Sequence, residues 1–181
     1  MITDPETLKQ LLQQGSLLPK EEMLEIASKK GNLYIGIPKE TSYQERRVSL
    51  VPETVSVLVA NGHRVKVETN SGDGSNFTDN DYSEAGAEIC YDRKEIFGCD
   101  IIFKVAPLIE EEIDLMPGDQ TLISALQISI QPKIMLQKLM DKKITAIAWD
   151  YIRDESGVFP VVRTMGEIAG TTAILTAGEY L

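Results

Sequence analysis

The chain has 181 residues, 43% of them hydrophobic and 25% charged, which suffices for one ordinary domain with a real core and is short for two. No stretch reaches the roughly 18 uninterrupted apolar residues of a membrane span, and the opening Met-Ile-Thr-Asp-Pro-Glu-Thr has neither the basic nor the apolar region of a secretory signal. A net charge of −10 argues against nucleic acid or an anionic membrane as partner, since both need a clustered positive surface, but not against a small anion held by a few buried cations.

The first thirty or so residues differ from the rest. Asp4-Pro5 reads as a cap followed by proline at the first helical position, Leu8, Leu11 and Leu12 share a face, and Gly15 ends the helix. A second start at Leu18-Pro19 runs through Met23, Leu24 and Ala27 to Lys29-Lys30-Gly31, so residues 1–31 are predicted as a helical hairpin packed on the main domain. From Leu33 short apolar runs alternate with helical segments. Leu33–Ile37 is a strand, Pro52–Asn61 a helix closed by Gly62, and Arg64–Glu68 the next strand. Asp79 caps a short helix through Ala85, Glu88–Cys90 is a strand, Asp92–Phe97 a helix and Ile101–Val105 a strongly apolar strand. Thr121–Leu126, a helix over Pro132–Lys142 and a strand over Thr145–Trp149 complete the pattern. Continuous Val/Ile/Leu runs separated by helices mark a parallel sheet covered on both faces. Residues 32–164 are therefore predicted as a doubly wound, mostly parallel α/β domain of flavodoxin-like or Rossmann-like type. Residues 165–181, rich in Ala and Gly and without a stop signal, read as the start of a linker helix toward a further domain.

Ligands of open parallel sheets bind outside the carboxyl ends of the strands. Three features fall on that edge: the polar loop Pro38–Arg47 with adjacent Arg46 and Arg47, Lys104 near the end of an apolar strand, and Gln127 after the fifth strand. Burying an ammonium is unfavourable by several kcal/mol unless it is paired. Lys104 is thus either an edge-strand lysine reaching to water or a cation that polarises a substrate carbonyl or holds a carboxylate. Arg46-Arg47 is either a solvated loop paired with Glu45 or a two-pronged grip on a carboxylate. Together they would suit a 2-oxo acid, with arginine on the carboxylate and lysine on the keto oxygen. The remaining features read as structural. Ser71–Ser75 lacks the third glycine and the long following helix of a dinucleotide fingerprint. His63 sits at the amino end of its strand, and Glu110-Glu111-Glu112 reads as a solvated helix face with no metal site nearby. Cys90 and Cys99 are too few for a disulfide framework or a zinc site, which places the protein in the reducing cytoplasm with both thiols as small apolar groups.

Several spaced motifs, in order, resemble one family. Gly36-Ile37-Pro38-Lys39-Glu40 and Glu45-Arg46-Arg47-Val48 are similar to the opening of the alanine dehydrogenases and of the α subunit of proton-translocating NAD(P) transhydrogenase. The likeness continues through Gly62-His63-x-Val65, Phe77-x-Asp79-x-Asp81-Tyr82, Ala85-Gly86-Ala87 and Lys104-Val105-x-Pro107 to Met165-x-Glu167-Ile168-Ala169-Gly170. The resemblance implies that Arg47 binds the substrate carboxylate, that Lys104 contacts the substrate carbonyl or carboxylate and is catalytic, and that Met165 lines the pocket. It implies NAD as cofactor, held mainly by a Rossmann domain beyond this chain, so that the chain alone would neither bind NAD usefully nor turn over. It also implies a homo-oligomer acting on an amino acid and its 2-oxo acid, with L-alanine and pyruvate as the default pair. In one respect the sequence departs: Gln127 stands where the family carries a catalytic histidine, and glutamine can donate a hydrogen bond to a keto oxygen but cannot exchange a proton near neutral pH. The transhydrogenase α subunit, or a binding module without catalysis, are the alternative readings.

Overall fold

The computed structural model describes residues 31–180, so the hairpin expected at the amino terminus lies outside the described residues. The chain divides into two units after Leu33, and the second carries the sheet. In chain order its elements are β1 (Tyr34–Ile37), α1 (Pro52–Ala60), β2 (Arg64–Glu68), α2 (Asp79–Glu84), β3 (Glu88–Cys90), α3 (Arg93–Phe97) and β4 (Ile101–Phe103). Then follow α4 (Glu110–Leu115), β5 (Thr121–Ser124), α5 (Lys133–Asp141), β6 (Thr145–Ala148) and the long α6 (Pro160–Glu179). Among the described residues no helix is long and apolar enough to cross a membrane.

All strand pairs are parallel, and the sheet order is β3-β2-β1-β4-β5-β6. Of the two arrangements the sequence left open, this is the Rossmann-like one, with the connections diverging between β1 and β4. β4 is therefore a central strand, not an edge, so Lys104 at its end has no lateral route to water and is 2% exposed.

Each helix covers the sheet for a legible reason. Ile35, Ile37, Val65 and Val67 join Val55 of α1 and Tyr82 of α2 in one apolar cluster. Ile102 and Leu122 join Phe97, Ile113 and Leu139 in the other, on α3, α4 and α5. Alternation of strand side chains to opposite faces puts the two clusters on opposite sides. Gly36 is required where α3 crosses β1, because a Cβ there would lie 2.5 Å from the Ile96 carbonyl oxygen.

Several boundaries differ from the sequence reading. α2 is capped by Thr78 rather than Asp79: the Thr78 hydroxyl accepts from the Asp81 backbone N–H at 3.2 Å, and the Asp81 carboxylate accepts from the Thr78 N–H at 2.7 Å. Asp79 instead accepts from the Thr69 hydroxyl at 2.6 Å and the Asn70 N–H at 2.8 Å, closing the turn after β2. β4 and β5 end at Phe103 and Ser124, two residues earlier than their apolar runs, Ile101–Val105 and Thr121–Leu126. The last helix starts at Pro160, where proline at the first turn leaves no unmet donor. No residue of α6 is buried, and β6 is mostly exposed.

Candidate functional site

The divergence between β1 and β4 opens the sheet edge where the sequence reading placed its candidates. The loop after β1 runs from Pro38 to Val51 and crosses the carboxyl end of β4, where the Ser49 hydroxyl donates to the Phe103 carbonyl at 3.0 Å. Gly74 and Ser75 support this loop from the β2 side. The Ser75 hydroxyl donates to the Arg46 carbonyl at 2.8 Å, and a Cβ on Gly74 would sit 2.6 Å from that same oxygen. The Ser71–Ser75 segment is thus structural, as the sequence reading had it, with a single 3-10 turn at Asp73–Ser75 that supports the loop carrying the two arginines.

A cavity of about 270 Å³ lies between this loop, β4, β5 and the start of α6, with Arg47, Leu50, Phe103, Lys104, Trp149 and Met165 among its walls. Its lining is mostly apolar, with Ser49 and two cations as the exceptions. Arg47 is half exposed, and Glu45 grips it along one edge, with Nε to Oε1 at 2.8 Å and Nη2 to Oε2 at 2.7 Å. Nη1 approaches the Met165 sulfur at 3.5 Å. A guanidinium has five N–H groups in a planar fork, so this grip leaves the end formed by Nη1 and Nη2 for another carboxylate. The Arg47 hydrogen bond holds the Glu45 carboxyl below its usual range, and Glu45 in turn raises Arg47.

Lys104 is held differently. Its Nζ lies 3.1 Å from Glu40 Oε2 and 3.1 Å from Glu112 Oε1, with all three side chains at most 5% exposed. Glu40 Oε1 also accepts the Val105 N–H at 2.6 Å, while its Oε2 meets Lys104 at ion-pair distance without hydrogen-bond geometry. Glu112 Oε1 accepts from Arg93 Nη2 at 2.8 Å and Oε2 from the Ile109 N–H at 3.1 Å. Two flanking carboxylates offset the desolvation of a buried ammonium. Glu112 is a correction to the sequence reading. Glu110 and Glu111 lie on the solvated side of α4, but Glu112 is fully buried because helical rotation turns it toward Lys104 and Arg93.

The structure brings Arg47, Lys104 and Met165 to one cavity and leaves Gln127 outside it. Gln127 adopts a left-handed backbone (φ 46°), and its N–H and that of Leu126 donate to the two Asp150 oxygens at 3.1 and 3.2 Å. Its side chain is exposed. Arg46 is exposed, and His63 lies at the amino end of β2, away from the cavity. Glu40, Arg93 and Glu112 were missed as site residues, whereas Glu45 was named as a partner of the arginines and pairs with Arg47. Only Glu45, within two positions of Arg47, carried a local signal.

The described residues do not fit a dinucleotide. Rossmann-like sheets hold the pyrophosphate on a glycine-rich turn running from β1 straight into a helix N-terminus. Here β1 is followed by Pro38-Lys39-Glu40 and a long loop, with the buried Glu40 carboxylate at the switch point. Glu88, Cys90 and Glu95 lie close enough to one another for a metal ion, but the Lys66 ammonium already sits 3.5 Å from Glu88 and 2.9 Å from Glu95. Burial pushes the Cys99 thiol up to about 11 and raises Cys90, so neither is poised as a nucleophile.

A family model described as "Alanine dehydrogenase/PNT, N-terminal domain" matches residues 36–169. The chain is 38% identical over 149 residues to an alanine dehydrogenase of Bacillus subtilis (strain 168), covering 82% of this chain and 39% of the relative. It is 37% identical over 147 residues to alanine dehydrogenase 2 of Staphylococcus aureus (strain USA300), covering 81% and 39%. Among solved structures, an L-alanine dehydrogenase superposes with a TM-score of 0.73 at 36% identity, covering 76% of this chain and 38% of that one. A transhydrogenase from Sinorhizobium meliloti gives 0.61 at 25% identity, covering 66% and 35%. The chain thus spans well under half the length of the relatives it matches.

Proposed function

The chain belongs to the alanine dehydrogenase/PNT N-terminal domain family, and we propose that it is the substrate-binding part of an NAD-dependent oxidoreductase interconverting L-alanine and pyruvate. One observation carries this reading: two cations of different character, Arg47 and Lys104, line one small apolar cavity at the switch point of the sheet. The free end of the Arg47 fork suits a planar carboxylate, and the Lys104 ammonium is a point donor suited to a keto oxygen. Phe103, Trp149 and Met165 give the methyl group of a three-carbon acid an apolar wall. Polarising that carbonyl draws electron density from the carbon that a hydride would reach, which makes Lys104 the catalytic residue of the proposal. NAD, a cytoplasmic location and a homo-oligomer belong to the same proposal on the strength of the family resemblance. The nicotinamide would be held by residues other than those described, so this chain by itself is expected to bind the acid without turning it over.

Pyruvate titrated into the chain tests this reading. Arg47→Ala and Lys104→Ala should each weaken binding roughly tenfold or more, the worth of a charge-assisted hydrogen bond. Affinity unchanged in both would overturn the site assignment. A second reading, a transhydrogenase α-subunit-like protein, is favoured by Gln127, which cannot exchange a proton and stays outside the cavity. NADH formation from L-alanine and NAD by the full-length gene product separates the two. Turnover supports the dehydrogenase, and its absence in a protein that binds NAD supports the alternative.

A further inference from the structure

Behind the cavity lies a closed circuit of charged groups that the proposed function does not use. From Lys104 Nζ it passes to Glu112 Oε1 at 3.1 Å, to Arg93 Nη2 at 2.8 Å, and from Arg93 Nε to Glu68 Oε2 at 3.3 Å. Glu68 Oε2 accepts the backbone N–H of Lys39 at 2.8 Å, and the next residue, Glu40, returns to Lys104 at 3.1 Å. The circuit ties the carboxyl ends of β1, β2 and β4 to α3 and α4 across the point where the sheet diverges.

Its geometry is tighter than neutralising one buried lysine requires. An ammonium has three N–H groups. Glu40 and Glu112 flank the Lys104 ammonium, and Lys104 is also among the residues that line the cavity. Glu112 cannot follow a shift of Lys104, because the Ile109 N–H fixes one oxygen and Arg93 with the Thr41 hydroxyl (3.3 Å) fixes the other. Arg93 in turn lies over the Phe97 ring, 5.5 Å from its centroid, and its Nε meets Glu68 Oε2 at ion-pair distance without hydrogen-bond geometry. Three carboxylates, Glu40, Glu68 and Glu112, face two cations, Arg93 and Lys104, so removing the Lys104 charge would leave three carboxylates against one cation.

We infer that Glu112 and Arg93 are positioning residues that aim Lys104 Nζ at the keto oxygen of a 2-oxo acid, and so set the preference for oxo acids over plain carboxylic acids. The inference rests on the proposed contact of Lys104 with that oxygen. The Arg47 grip on the carboxylate is oriented by the hydrogen bonds of Glu45, and Glu40 of the circuit acts on Arg47 only through its charge.

Pyruvate and propionate are the probes, because they share a carboxylate and a three-carbon skeleton and differ in the keto oxygen. The chain should bind pyruvate roughly ten- to hundredfold more tightly, the ratio expected of one charge-assisted hydrogen bond. Glu112→Gln and Arg93→Met should lower pyruvate affinity toward that of propionate and leave propionate unchanged. Arg93→Lys should recover part of the ratio by returning a cation to Glu112. Propionate binding doubles as the folding control for each variant. Pyruvate and propionate weakening together, or a ratio that survives in Glu112→Gln and Arg93→Met but collapses in Lys104→Ala, would overturn the positioning role alone. A ratio that survives Lys104→Ala itself would overturn the keto-oxygen contact, and the inference with it.

Discussion

Glu45 and Arg47 fix each other's charge, because the carboxylate lies along the Nε edge of the guanidinium with both oxygens engaged. The Glu45 carboxyl is therefore held below its ordinary value of 4.5 in the folded chain. A carboxyl depressed on folding contributes stability above its unfolded value and loses it as pH falls through the folded one. Residue-resolved carboxyl titration by NMR should find Glu45 ionising below 4.5, and Arg47→Ala should return it upward; a midpoint indifferent to Arg47 would contradict the pairing. Tyr82 supplies a second case: its hydroxyl donates to the Leu50 carbonyl at 2.9 Å, and burial pushes its ionisation up to about 12. Tyr82→Phe leaves that carbonyl without its donor and should destabilise by about 1 kcal/mol in a denaturant titration. Arg47, Lys104 and Met165 were singled out in the sequence because each sits in a motif or interrupts an apolar run, and all three line one cavity. Glu112 was not. Three consecutive glutamates look alike on paper, and only the neighbours that α3 and β4 bring to α4 decide which one turns inward.

Short elements owe much of their position to their ends. α2 is six residues long and cannot persist on propensity, so its capping box carries weight. Thr78→Ala removes the acceptor for the Asp81 N–H and should lower stability by about 1 kcal/mol, read as a shift in the denaturation midpoint. A threonine three places before an acid was there to be read, but Asp79, the better-known cap type, drew the boundary one residue late. Gly74 acts across elements. A Cβ there would come within 2.9 Å of Arg46 Cα, so Gly74→Ala must push the loop that carries Arg47. That variant should bind pyruvate several-fold more weakly while the melting temperature falls by only a few degrees, since Gly74 itself is exposed and the apolar core untouched. Loss of stability without loss of affinity would mean that the loop relaxes away from the cavity. Strand cores were legible from their apolar runs. Strand ends were not, because an apolar run reports burial, and burial continues past Phe103 and Ser124 into the residues behind the cavity.

At the scale of the whole molecule, the alternation of strands and helices announced a parallel doubly wound sheet, but strand order is a property of long-range pairing that no local run encodes. That order places β1 beside β4 and so joins two segments far apart in sequence at the one edge where both leave cations. The same order leaves β6 at an edge, mostly exposed. In α6, Ile168, Ile174 and Leu175 are 57%, 76% and 70% exposed, and no residue is buried. Helices draw most of their stability from a packed face rather than from propensity. Glycines at 166, 170 and 178 lower the propensity further, each by up to about 1 kcal/mol relative to alanine. Backbone amides of α6 should therefore exchange with solvent far faster than those of β1 and β4, which should track global unfolding. Hydrogen exchange followed by mass spectrometry on the chain reads both sets at once. Protection in α6 equal to that of β4 would require a surface covering the helix, and a dependence of that protection on protein concentration would identify the cover as a second copy of the chain.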